Sequence, residues 1–542
     1  MKKKLLALTT ALLLLFQLTA CGAKEEATAA APAASSPAAS AAAPSAPAPM
    51  EEPGMAAEAA DDGEAAESAL RYSVASDLAG VQHNTEEYSH IEENGFQAVS
   101  VSPLSTFAAD VDTASYANLR RMLLAGESVI PDAVRIEEMI NYFHYDYPEP
   151  EEGEPFSVST ELTPCPWNEE NTLLRIGLQA PQPDWEAMPP SNLVFLIDVS
   201  GSMDRSDKLP LVKQAFLLLT ENLRQEDTIS IVTYASRDEV VLSGAGGNEP
   251  AAIQSAIENL EAGGSTAGAR GIQTAYELAE EHFIPGGNNR VILATDGDLN
   301  VGVTSEGELT RLIEEKKESG VFLSVMGFGS GNLKDNKLEA LADHGNGNYS
   351  YIDSVLEAKR VLVEEMGGTL FTVAKDVKLQ VEFNPEHVKS YRLIGYENRL
   401  MDAEDFADDT KDGGEIGAGH RLTVLYELSS AELPGADLKY QQSVPTGSAE
   451  WLTVSIRYKA PEGEKSALLE YPVDADHWQE DPSDDTAFAA GVAQFGMLLR
   501  QSPYAENITY EDLYHQLSSI PGVEEDDYKH ELLYLVRQAQ RG

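Results

Sequence analysis

The sequence predicts an α/β domain, a doubly wound, mostly parallel sheet flanked by helices, inserted beside a β-sandwich, with helical N- and C-terminal segments. Three observations carry this. Between residues 191 and 375, short apolar runs alternate with amphipathic helical stretches, the pattern of a parallel sheet covered on both faces. At 155–180, and again after Val373, apolar and polar residues alternate between Gly, Pro and Asp punctuation, as in paired strands. At 107–148, and from Thr486 onward, the apolar period is helical.

The chain opens with Lys2, Lys3 and Lys4, then an apolar run from Leu5 that is short for a membrane span. Residues 1–20 therefore read as a secretory signal. The run ends in "LTAC", Leu18 to Cys21, which resembles the bacterial lipobox. The resemblance implies cleavage before Cys21 and lipid on its thiol and amine, enough acyl chain for stable anchoring. The alternative is a signal cut near Ala20 with an incidental cysteine. Residues 21–71 are Ala, Pro, Ser and Glu with almost nothing to bury, and read as a disordered tether.

Residues 72–150 read as a mainly helical segment. Within 107–126 a strand end runs into a helix capped near Asp112 or Thr113, with Tyr116, Leu119 and Leu123 as its stripe. A second helix spans 131–148 with Val134, Ile136 or Met139, Ile140 and Phe143 inward. Residues 151–190 carry a hairpin expected to join the sandwich. In 191–375 the strands are 193–198, 228–235, 290–298, 321–329 and 348–353, separated by helices, the last over 354–371. Residues 376–480 are the sandwich, and 481–542 a helical segment with two helices.

A chain of 542 residues exceeds one hydrophobic core, so several domains are expected. Its 90 acidic and 38 basic residues give a formal charge of −52, and removing residues 1–20 takes away three lysines and no acid, making it −55. Nucleic acid is excluded as a partner, because phosphate recognition needs a basic footprint. There are two cysteines; with lipid on Cys21, Cys165 has no intrachain disulfide partner.

Three polar clusters stand where strands of the α/β region end. Asp198, Ser200 and Ser202 follow "LVFLI", "GGST" (263–266) precedes a helix, and "TDGD" (295–298) closes "RVILA". Ligands of open α/β sheets bind at such carboxyl ends. Carboxylates and hydroxyls without nitrogen or sulfur suit a hard divalent cation, Mg²⁺ first, with Mn²⁺ or Ca²⁺ as alternatives. Taken singly, each residue also reads as a helix cap or turn former. "DVSGSM", "GGST" and "ATDG" together resemble the metal-ion-dependent adhesion site (MIDAS) of von Willebrand factor A (VWA) domains. The resemblance implies Asp198, Ser200, Ser202, Thr266 and Asp296 as metal ligands, with Ser265 the neighbouring alternative to Thr266. It implies a metal that binds an acidic residue of a protein partner. "PLSTFAADVDTASYANLRR", "VRIEEMINYFHYDYP" and "FGMLLRQSPY" resemble bacterial YfbK-type VWA lipoproteins over nearly all of the folded part.

Other motifs are weaker. "DGDLNVG" begins like a calcium loop but lacks the sixth-position Gly and twelfth-position acid, "DVD" (110–112) reads as a strand end and cap, and "DADHWQEDPSDD" as a solvated loop. The sequence holds no G-x-S-x-G, H-E-x-x-H or phosphate-loop motif, and its histidines are scattered, so no enzyme is expected. The expected function is a lipid-anchored, extracytoplasmic protein, at a cell surface or in a periplasm, that binds a partner's carboxylate through its metal. The alternatives are a structural envelope protein with a non-essential metal site and, behind it, an uncharacterised hydrolase.

Overall fold

The computed structural model describes residues 84–541 except 110–111, 183–187, 266–267, 298–305, 366, 369–370, 432–446 and 462. The signal segment, Cys21, the tether, Thr266, Asp298 and Asn300 lie outside the described residues.

The α/β sheet has the strand order Tyr349–Ile352, Val321–Phe328, Asn288–Thr295, Ser191–Asp198, Thr228–Tyr234, Asp238–Gly246. The first five run parallel and the sixth is antiparallel. Every residue of Ser191–Asp198 is buried, as a strand covered on both faces requires. Leu193, Phe195 and Ile197 pack with helices Leu209–Thr220 and Pro250–Glu258, while Val194 and Leu196 pack with Asp335–His344 and Ile272, Ala275 and Tyr276 of Gly268–Glu281. From Ser191–Asp198 the chain builds outward on one side, then returns to build on the other. The strand order therefore reverses between Ser191–Asp198 and Asn288–Thr295, and the crevice at their carboxyl ends is the switch point. Asp238–Gly246 was absent from the sequence reading. It is an edge strand with Val240 and Val241 exposed, so no buried face imposes a clear alternation on it.

The sandwich has two antiparallel sheets. One has the order Gln97–Ala98, Val388–Ile394, Arg421–Ser430, Asn171–Gln179, Ser157–Pro164. The other has the order Gly414–Gly417, Thr372–Phe383, Glu450–Lys459, Ser466–Asp474, with Leu104–Ala108 also paired to Thr372–Phe383. Phe107, Ile176, Leu379, Phe383, Tyr426 and Val454 meet between them. The α/β domain is thus inserted between Asn171–Gln179 and Thr372–Phe383. The N-terminal segment is less helical than its sequence reads, since it supplies a strand to each sheet.

Helices Ala114–Ala125, Ile136–Asn141, Asp484–Arg500, Tyr510–Ser518 and Asp527–Ala539 share a third core with Trp167, Leu173 and Leu425. Leu173 and Leu425 point outward from the first sheet, and Leu174 and Val424 inward. That sheet is buried on both faces, which explains the nearly unbroken burial of Asn171–Gln179. The helix expected over 131–148 is a 3₁₀ turn at Pro131–Ala133 and a short helix at Ile136–Asn141. The helix expected over 354–371 is Val355–Lys359 running into a π-type turn at Arg360–Glu364. Thr113 caps nothing with its side chain; its hydroxyl accepts from Arg360 Nη2 at 2.7 Å.

A buried ionic cluster joins the helical layer to the α/β domain. Arg120 donates to Asp353 at 2.7 and 2.5 Å, to Glu357 at 2.7 Å and to Glu531 at 3.0 Å. Arg360 donates to Glu357 at 2.8 and 3.0 Å and to Glu365 at 2.7 Å. Cys165 is free and buried, and burial pushes its thiol up to about 12. Among the described residues, no helix is long and apolar enough to cross a membrane.

Candidate metal centre

Ile197 is in register with Ala294 on the adjacent parallel strand, so Asp198 and Asp296 leave the sheet side by side at the switch point. Both are fully buried. The turn after Asp198 folds back on its carboxylate: Ser200 N–H donates to Asp198 Oδ1 at 2.8 Å, and Ser200 Oγ lies 3.0 Å from Ser202 Oγ. The "GGST" loop is drawn onto the same turn, Gly201 N–H donating to Gly264 O at 3.0 Å and Gly263 N–H to Val199 O at 2.7 Å. Ser265 is engaged elsewhere, its N–H donating to Ser236 Oγ at 3.0 Å. Four of the five sequence-predicted residues, Asp198, Ser200, Ser202 and Asp296, thus share one crevice; Thr266 is outside the described residues.

The two carboxylates differ in environment. Burial pushes the Asp198 carboxyl up to about 6, although the Ser200 N–H favours its charge. Burial also works against charge on Asp296, but the Lys208 ammonium beside it prevails and holds its carboxyl below the ordinary range. Lys208 Nζ donates to Asp296 Oδ2 at 2.8 Å and to Asn332 Oδ1 at 2.8 Å. The sequence reading missed this lysine. It is only 3% exposed, and its stem lies against Gly329, where a Cβ would stand 2.4 Å from Lys208 Cε. Gly297 serves the same loop: its φ is +94°, and a Cβ there would stand 2.5 Å from the Lys334 nitrogen.

Loop 329–334 is itself strapped down. Thr85 N–H donates to Gly331 O at 2.8 Å and Glu87 N–H to Leu333 O at 3.0 Å. Glu86 Oε1 accepts from Gly331 N–H at 2.8 Å, and its Oε2 accepts from Arg121 Nη2 at 3.0 Å.

The donor set fits a hard divalent cation: two carboxylates and two hydroxyls, all oxygen, at a strand-end crevice. Two further facts agree. Among the described residues, Lys208 pairs with Asp296 while Asp198 forms no ion pair, and the buried Tyr234 hydroxyl, close to Asp198 and Thr295, makes no hydrogen bond of good geometry. Among the described residues, no group of three or more His, Cys, Asp or Glu is placed to hold a metal.

A family model described as von Willebrand factor type A domain matches residues 192–363. A model described as von Willebrand factor matches 82–175, and one described as the C-terminal part of uncharacterized protein YfbK matches 368–541. Uncharacterized protein YfbK of Escherichia coli (strain K12) is 42% identical over 470 residues, covering 84% of this chain and 81% of that protein. The chain belongs to the YfbK family. Its VWA domain is the α/β domain described above, and VWA domains commonly hold a divalent metal at a MIDAS. The YfbK-family chain is also similar to human inter-alpha-trypsin inhibitor heavy chain H3, at 29% identity over 46% of this chain and 29% of that protein. A solved von Willebrand factor type A structure from Catenulispora acidiphila covers 73% of this chain and 91% of its own, at 18% identity and a TM-score of 0.39. The VWA domain supports a role in protein interaction.

Proposed function

We propose that this YfbK-family chain is a lipid-anchored, extracytoplasmic binding protein whose VWA domain takes a carboxylate of a protein partner through a divalent cation. Asp198, Ser200, Ser202, Thr266 and Asp296 would hold the cation, with Mg²⁺ the favoured ion. The observation that carries the reading is the crevice itself, where Asp198 and Asp296 leave adjacent strands together and the Ser200 and Ser202 hydroxyls stand 3.0 Å apart. When bound, the cation supplies the positive charge that a partner carboxylate coordinates. The chain's own groups do the positioning. The Ser200 N–H orients Asp198, and the apolar strands fix where each carboxylate emerges. Cys21, by the lipobox resemblance, carries the anchor.

The test is calorimetric titration of the full chain with Mg²⁺ and Mn²⁺ beside its Asp198→Ala variant. One saturable site lost in the variant is expected. A folded wild-type chain that binds neither ion, even with an acidic peptide present, would overturn the reading in favour of a structural protein. Mass spectrometry of the chain from membranes checks the anchor, with acylated Cys21 as the expected N-terminus.

A further inference from the structure

We propose that residues 84–88 form a strap whose seating and the binding of the cation support each other. Seated, the strap holds loop 329–334 against the turns that carry Asp198 and Asp296; a bound cation in turn holds the strap in its seat. This rests on the metal-site reading above and concerns residues outside the MIDAS pattern.

Loop 329–334 is the hub. Ser330 accepts from Arg205 at 3.1 Å on its carbonyl and at 3.0 Å on its hydroxyl, which ties the loop to the turn that follows Asp198 and Ser202. Asn332 accepts from Lys208, whose ammonium also reaches Asp296. A Cβ on Gly297, the residue after Asp296, would stand 3.1 Å from Leu333 Cα and 2.5 Å from the Lys334 nitrogen. The loop therefore touches the chain near both carboxylates of the crevice.

The strap grips this hub at three residues. The Thr85 N–H and hydroxyl both donate to Gly331 O, at 2.8 and 3.1 Å, and Glu87 N–H donates to Leu333 O at 3.0 Å. Lys334 Nζ donates to Glu87 Oε1 at 2.8 Å and to Thr85 O. Glu86 is the rivet. Its side chain is 1% exposed, although Thr85 and Glu87 on either side are exposed. One of its oxygens accepts from Gly331 N–H at 2.8 Å, the other from Arg121 Nη2 and the Tyr88 hydroxyl, each at 3.0 Å. Asn118 donates to the same Tyr88 hydroxyl at 2.7 Å. One buried carboxylate thus joins the loop to helix Ala114–Ala125.

Residues 84–87 bring no large apolar side chain to this contact, and several of their hydrogen bonds are exposed. That is the makeup of a segment that opens locally without global unfolding. A loop freed of its strap must be ordered again when a cation binds, and the ordering cost lowers the affinity. Linkage requires the reverse: a cation that favours the seated form stabilises the seat by the same factor. Along the chain the strap is the first described stretch after Cys21, so by the lipobox reading this coupling lies between the anchor and the metal centre.

The experiment uses the full chain with Mn²⁺ as the probe, calorimetry for affinity and hydrogen exchange for the strap. In the wild type, saturating Mn²⁺ should slow exchange of the Thr85, Glu87 and Gly331 amides about tenfold, a readout that needs no variant. Glu86→Ala removes the rivet, and Thr85→Pro removes the N–H that meets Gly331 O; each should weaken Mn²⁺ binding about tenfold. Glu86→Gln keeps an acceptor for the Gly331 N–H and should fall between Glu86→Ala and the wild type. Strap amides indifferent to Mn²⁺ would overturn the proposal. So would variants, shown folded by circular dichroism, that bind Mn²⁺ as tightly as the wild type or more tightly. If Glu86→Ala does not fold, Thr85→Pro and the wild-type exchange decide. A wild type that binds no Mn²⁺ would overturn the metal-site reading and this inference with it; Mn²⁺ binding lost in Asp198→Ala but indifferent to Glu86 and Thr85 would overturn this inference alone.

Discussion

The Arg120 cluster and the candidate metal centre are both buried groups of opposed charges, and they are completed differently. In the cluster, Asp353, Glu357, Glu365 and Glu531 each receive a guanidinium N–H directly. Burial works against both Asp353 and Glu357: it prevails at Asp353, whose carboxyl is raised in spite of Arg120, while Arg360 and Arg120 hold the Glu357 carboxyl below the ordinary value. In the metal centre, Asp198 receives a backbone N–H and a distant Thr295 hydroxyl at 3.4 Å, and burial lifts it to about 6. Each of these four cluster carboxylates meets a cation of the protein itself, whereas Asp198, among the described residues, forms no ion pair.

The largest effect should come from opening the closed cluster. Arg120→Met leaves Asp353 and Glu357 buried without that partner and should cost about 3–5 kcal/mol in urea unfolding; a loss below about 1 kcal/mol would show that the cluster relaxes into water. Next comes the candidate metal centre. Mg²⁺ at a hundredfold excess over its Kd should stabilise the wild type by about 2.7 kcal/mol and leave Asp198→Ala unmoved in thermal unfolding.

A smaller effect lies in the pH dependence of His420, beside Glu365 and Arg360. Burial depresses its imidazole to about 4 from an ordinary 6.5. The unfolded chain therefore binds a proton first, so this contribution is whole above pH 6.5 and is lost as pH falls through 4. Allowing for its partial exposure, the loss should be about 2 kcal/mol, and His420→Gln should flatten it.

The α/β and sandwich layers were legible because their strands are long, apolar or alternating, and bounded by turn residues. Asp198, Ser200, Ser202 and Asp296 were legible because each follows such a strand. Lys208 was not, because a lysine just ahead of the Leu209–Thr220 helix reads as solvated until Gly329 and Asn332 arrive from a loop more than a hundred residues later. The Tyr510–Ser518 helix was hidden by its length, nine residues with Leu513 and Leu517 as its fully buried positions. The strands at Gln97–Ala98 and Leu104–Ala108 were hidden because their partners lie far along the chain.

The interleaving of these layers also fixes an order of assembly. The VWA sheet draws all its strands from one continuous stretch and can close as soon as that stretch exists. The helix Ala114–Ala125 must wait for Asp527–Ala539, and Gln97–Ala98 for Val388–Ile394, so the early segments stay open until the late ones are made. During synthesis, Leu119 and Met122 are therefore left without the late helices of their shared core, and they are a surface a chaperone would have to cover.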